Sequence, residues 1–240
     1  MNRKKWFIGI LILFLFGTYS IFMLLDDNYL ALLTAEDGLI ESAGALFFFT
    51  AAVLFLILFY KDKQGNDLFL FRTGKNIFYL LLMFLFTVAA GEEISWGQRI
   101  FNIRTPEVFE EKNVQNELNI HNLDIFHGTD KSGERKSFWG LLLNVDRLFS
   151  LFWLFFCLII PVLVHYRPAF RKWICRINIP LVPIWIGLAF FTNYVLSKIL
   201  EQLYTEKWVQ SAITEVKETG FAFLFMLIGL WFLSTHKETN

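Results

Sequence analysis

Two short strings hold most of the residues in this chain that could do chemistry. The first, Gly91-Glu92-Glu93-Ile94-Ser95-Trp96-Gly97-Gln98-Arg99, sets paired carboxylates beside a hydroxyl, an indole, an amide and a guanidinium. Read as a helix, it places Glu92, Ser95 and Arg99 at i, i+3 and i+7 on one face, with Glu93 one position around. Such a face could bind a polar head group or a metal-held water, and an ordinary buried ion pair uses the same parts. Adjacent carboxylates repel, so a cation, a shared proton or a metal is expected beside them, with Arg99 and Arg147 as protein partners.

The second string runs from Asn113 to Asp124, NVQNELNIHNLD. If it is helical, Glu117, His121 and Asp124 stand at i, i+4 and i+7, with His127 about one turn beyond. Oxygen and imidazole ligands in that pattern suit a divalent metal, or a His–Asp pair for general acid–base work. A solvated structural face uses the same residues. Asn at 113, 116, 119 and 122 lowers helix propensity and supplies amides that could tie the segment to a scaffold.

What must position these groups is a lipid-embedded bundle. Of the 240 residues, 55% are hydrophobic and 18% charged, the balance of a chain dissolved in lipid rather than a soluble globule. The formal net charge of zero gives no basic field for nucleic acid. A bilayer core of roughly 30 Å needs about 20 apolar residues in a helix. Runs of that kind predict an all-α membrane bundle of about six spans, near residues 6–25, 39–60, 77–97, 140–165, 181–200 and 215–233, forming one transmembrane domain. The last is the weakest, because its uninterrupted apolar part from Gly220 to Leu233 is short. The first run reads as an uncleaved helix, too long for a signal peptide and without a small-residue cleavage site at Leu24-Leu25-Asp26.

Lys and Arg fix the orientation. Arg3, Lys4 and Lys5, then Lys61, Lys63, Arg72 and Lys75, then Arg167, Arg171, Lys172 and Arg176 fall on one side if the helices alternate, whereas the loop from Asp26 to Asp37 has neither residue. The expectation is a cell (inner or plasma) membrane protein with both termini cytoplasmic. Residues 99–137 form an outer loop, too long for a plain connector, read as one or two amphipathic helices at the interface with a start at Thr105-Pro106.

On this topology most ionisable residues of the spans gather toward the outer face: Glu36, Asp37, Glu41, Glu92, Glu93, Asp146, Arg147, Lys198, Glu201, Glu215, Lys217 and Glu218. Helix ends at head-group level account for Glu36, Asp37, Glu215 and Lys217. Glu41 and the Glu92-Glu93 pair fit that reading less well, since their hydrophobic runs continue around them. Cys157 and Cys175 form neither a disulfide framework nor a zinc pair, and His165 and His236 read as interfacial or solvated. The abundant Phe carries no function of its own.

The strings GEEISWGQRIF, TPEVFEE and NVQNELNIHNL together resemble a signature of uncharacterised bacterial polytopic membrane proteins, over about a sixth of the chain. The resemblance implies a shared site at Glu92, Glu93, Trp96, Gln98, Arg99, Glu117, His121 and Asn122 without naming a reaction. CAAX-type intramembrane proteases also pair glutamates, but their EExxxR pattern would need Arg where this chain has Gly97. Alkaline ceramidase-like proteins use an HxxxH that the last helix here lacks.

Two functions follow. One is a membrane-embedded hydrolase or transferase acting on a lipid-like substrate at the outer leaflet. Glu92 or Glu93 would be its base or metal ligand and His121 its acid–base partner. Ser95, Trp96, Gln98, Arg99 and Asn122 would bind substrate, and Glu93, Glu117, His121 and Asp124 would be ligands if a divalent metal is used. The other is a non-catalytic assembly component or a small-solute or ion permease. Either function is compatible with a homo-oligomer.

Overall fold

The computed structural model describes residues 3–35, 38–62, 75–98, 101–113, 118–120, 123–126 and 143–236. Among these the chain is all-helical, with a lone antiparallel bridge between Asn113 and Leu123. Helix α1 is Arg3–Leu24, α2 Asp27–Leu33, α3 Leu39–Lys61, α4 Ile77–Glu93 and α5 Glu107–Lys112. Then come α6 over Val145–Tyr166, α7 Pro168–Ile177, α8 Ile184–Leu203 and α9 Lys207–Thr235. By length and composition α1, α3, α6 and α9 are long and apolar enough to cross a membrane. The architecture is that of a helical membrane bundle.

Short polar side chains set several helix starts. Asp26 accepts from the amides of Asn28 and Tyr29 to open α2, Asn76 from Phe78 to open α4, and Asn144 from Arg147 to open α6. The span expected at 181–200 begins instead at Ile184, because Pro183 holds the chain extended before the first helical residue. Helices α2 and α7 both lie in segments expected to be loops, although α7 is amphipathic, with Ile174 buried and Arg171, Lys172 and Trp173 exposed.

The largest revision concerns the weakest span. Helix α9 runs 29 residues rather than the expected 215–233, and it is the axis of the bundle, packed on α3, α8 and α1. Its Phe225 is fully buried and lies against Phe48 of α3, Phe86 of α4, Phe149 and Phe152 of α6 and Phe190 of α8. Offset and edge-on ring pairs add roughly 0.5–1.5 kcal/mol each beyond burial. Much of the chain's Phe is therefore the core itself rather than lipid-facing filler.

Helix α6 is broken internally by a π segment, Leu154–Ile159. Pro161 has no amide to give the carbonyl four residues back, so Cys157 O is released and Ile160 N donates instead to Phe155 O. Gly187 of α8 fills the place, since a Cβ there would stand 2.1 Å from Cys157 O. Asn193, fully buried on α8, accepts from Tyr19 Oη at 2.8 Å and donates to Lys217 O at 2.9 Å, which ties α1, α8 and α9 together.

The two ends of the bundle differ in charge. At one end, Lys75 donates to Tyr60 O, Asn76 to Asn178 O and Arg3 to Ser234 O, and the exposed Arg171 and Lys172 of α7 stand nearby in the chain. The opposite end carries the start of α3, the end of α4 and the starts of α6 and α9.

Candidate functional site

Helix α4 is short. Its 17 residues span about 26 Å, less than a bilayer core of roughly 30 Å. Beyond Glu93 the chain turns through Ser95 (φ 44°), Trp96 (φ 53°) and Gly97 (φ 74°), a left-handed stretch that costs non-glycine residues ~1–3 kcal/mol each. Two features hold it. The Trp96 ring folds back over Gly91, where a Cβ would lie 2.9 Å from it, and Trp96 Nε1 donates to Glu92 Oε1 at 2.6 Å. The helical face expected to join Glu92, Ser95 and Arg99 therefore does not form, because the helix stops before Ser95. Arg99 lies outside the described residues.

The segment around residues 118–120 is fastened to this turn. Ile120 N donates to Glu92 Oε2 at 2.6 Å, Leu118 N to Gln98 Oε1 at 2.7 Å, and Asn119 Nδ2 to Ser95 Oγ at 3.4 Å. Gln98 Nε2 in turn donates to Thr105 Oγ1 at 2.5 Å, so Thr105 braces the turn. Buried Asn113 donates to both the carbonyl and the side chain of Asn119. The continuous helix expected through Glu117, His121 and Asp124 is absent: residues 118–120 are non-helical, and Asp124 opens a separate 3-10 turn, Asp124–Phe126. Glu117, His121 and Asn122 lie outside the described residues, as do Glu36, Asp37 and His127.

Behind the loop lies a cavity of about 380 Å³. Among the described residues its ionisable lining is wholly acidic: Glu41 of α3, Glu92 and Glu93 of α4, Asp146 of α6, and Glu215 and Glu218 of α9. Its apolar wall is Phe48, Leu85, Val88, Ala89 and Phe149. Leu85 and Val88 are exposed on the outside of α4, so the cavity opens sideways between α4 and α6.

Glu93 and Glu92 differ sharply in setting. Glu92 spends both oxygens on Trp96 and Ile120. Glu93 is largely buried against α3, its Oε2 3.6 Å from where a Cβ on Gly44 would stand, and no hydrogen bond reaches it among the described residues. The charges acting on it most are those of Glu218, Glu215 and Glu41, in that order. Like charges crowded at a partly desolvated site repel one another, so a cationic group entering here is favoured.

Glu92, Ser95, Trp96 and Gln98, expected to touch substrate or take part in catalysis, are hydrogen-bonded within the turn and to the segment fastened on it. Glu92 and Glu93 both line the cavity, and Glu93 is the one whose carboxylate no hydrogen bond holds among the described residues. Glu215 and Glu218, with Ser211, were legible as an i, i+4, i+7 stripe on α9, yet the hydropathy reading treated Glu215 as an ordinary head-group residue. Of the metal set read from spacing, only Glu93 has a described side chain. Among the described residues no group of three or more His, Cys, Asp or Glu is arranged to hold a metal ion. Set against family models, curated proteins and solved structures, the chain matches none.

Proposed function

We propose that the chain is a multi-pass cell-membrane enzyme, a hydrolase or transferase, that draws an amphiphilic substrate sideways from the bilayer into the acidic cavity. The observation that carries this reading is the convergence of carboxylates from four helices on a cavity with an apolar wall and a lateral opening. Glu93 is the general base or the group that holds the reacting head. Glu92 is a positioning residue, fixing the turn and the backbone at Ile120, the neighbour in sequence of His121. The six-span topology with cytoplasmic termini belongs to the same proposal, supported by the basic end opposite the acidic one.

The test compares the lipid extracts of cells expressing wild type, Glu93→Gln or Glu92→Gln, by untargeted mass spectrometry. Wild type is expected to convert a lipid species that accumulates unchanged with Glu93→Gln. Identical lipid profiles for all three would overturn the enzyme reading.

An ion permease is the second reading, favoured by a lining that is wholly acidic among the described residues. The packing opposes it. Phe48, Phe55, Phe86 and Phe225 fill the bundle beneath the cavity and leave no polar path toward the basic end among the described residues. Cation flux in proteoliposomes that is lost with Glu93→Gln would replace the first reading with this one.

A further inference from the structure

We infer that the head group taken by this site is zwitterionic, its ammonium seated among the carboxylates and its phosphate in the groove next door. The inference rests on the reading of the cavity as an amphiphile site and names the class of amphiphile.

The acidic cavity has a neighbour of mixed charge. A second, more open cavity of about 730 Å³ shares the wall made by Asp146, Phe149 and Glu218. Its lining carries three cations, Arg147 of α6, Lys198 of α8 and Lys217 of α9, beside the carboxylates of Asp146, Glu201 and Glu218. Lys198 is bound to Glu201 and stands 5.8 Å above the Tyr194 ring, and Lys217 is 3.8 Å from Glu218. Arg147 is exposed, and no side-chain partner is seen for its guanidinium among the described residues. A guanidinium presents a planar fork that matches two phosphate oxygens, which an ammonium cannot do. Asp146 and Arg147 are adjacent at the start of one helix, so a single turn of α6 delivers a carboxylate to the wall between the cavities and a guanidinium to the second.

The acidic side makes the matching demand. Glu93 is largely buried, without a hydrogen bond among the described residues, and faces a cavity whose other described ionisable groups share its sign. An ammonium donates in three directions and offsets that repulsion. A phosphate alone is repelled there, and an ammonium alone leaves Arg147 unused. A phosphoethanolamine-type head satisfies both, while its acyl chains leave between α4 and α6 along Leu85 and Val88.

The test uses the full chain in detergent with short-chain diacyl phosphatidylethanolamine and phosphatidylglycerol, which share the phosphate but not the amine, and with dodecylammonium, which has the amine alone. Binding is read by native mass spectrometry on proteins that elute like wild type from size exclusion. Phosphatidylethanolamine is expected to bind at least tenfold tighter than either other probe. Glu93→Gln should erase its advantage over phosphatidylglycerol, and Arg147→Ala its advantage over dodecylammonium. Equal binding of the two phospholipids by wild type, or an amine preference that survives Glu93→Gln, overturns the inference. Glu93-dependent turnover of an amine-free lipid would overturn it too, yet leave the enzyme reading standing.

Discussion

Trp96 Nε1 donates to Glu92 Oε1 over 2.6 Å, although the chain has already left the helix between them. The bond holds a left-handed turn that would otherwise relax, and the other oxygen of Glu92 holds the loop at Ile120. Trp96→Phe keeps the ring over Gly91 and removes only the donor. A hydrogen bond to a charged group contributes ~1.5–3 kcal/mol, so the variant should lose about that much stability. Hydrogen exchange should rise at residues 118–120 while the helices stay protected. Unchanged protection there would show that the bond does not hold the loop.

Gly91 makes a sharper test of the same turn. A Cβ at Gly91 would press to 2.9 Å from the Trp96 ring, whereas Gly17 of α1 has nothing within 4 Å. Gly91→Ala is therefore expected to displace Trp96 and lower the thermal midpoint in detergent. Gly17→Ala should be neutral or raise it, because alanine in a helix interior is favoured by roughly 0.5–1 kcal/mol. Equal responses of the two variants would mean that the ring contact is not what Gly91 serves.

How far the sequence foretold this arrangement depends on the kind of signal. Hydropathy located the helices well wherever an apolar run stood alone, as at α1 and α3, because lipid burial demands such runs. It undervalued α9, whose first turns carry Glu215, Lys217 and Glu218 and which is buried by protein rather than by lipid. A hydropathy window cannot separate those two solvents. In the Glu92 string the residue types were legible and their geometry was not, since a left-handed Ser95-Trp96 pair leaves no periodic trace. Ser95, Trp96 and Gln98 were consequently read for chemistry alone, and their part as fasteners of the turn left no sign.

Where α8 crosses α6 the prediction concerns backbone rather than side chains. Pro161 frees Cys157 O, and Gly187 must lack a side chain to meet it, since a Cβ would come within 2.1 Å of that oxygen. No rotamer relieves a clash with a carbonyl, so Gly187→Ala should separate the helices and sharply lower the yield of monodisperse protein. Pro161→Ala restores the missing amide and should shorten the π segment, which lets α6 pull back from α8. The double variant is then expected to recover part of the yield lost by Gly187→Ala alone. A double variant no better than the single would show that the released carbonyl is not what excludes alanine.

The paired glutamates should separate stability from function. Glu92→Gln weakens the acceptor of the Trp96 and Ile120 hydrogen bonds and is expected to cost ~1–3 kcal/mol, read as a lower thermal midpoint and faster exchange in the loop. Glu93→Gln removes a charge that faces Glu41, Glu215 and Glu218 and breaks no described hydrogen bond, so its midpoint should hold or rise. Function should move the other way. Lipid conversion is expected to vanish with Glu93→Gln and to persist, reduced, in Glu92→Gln below its melting range. Sites that hold like charges together for a ligand commonly trade stability for activity in this manner. If Glu93→Gln melts earlier than wild type, its carboxylate is a structural partner, and the cavity loses the residue on which its chemistry was built.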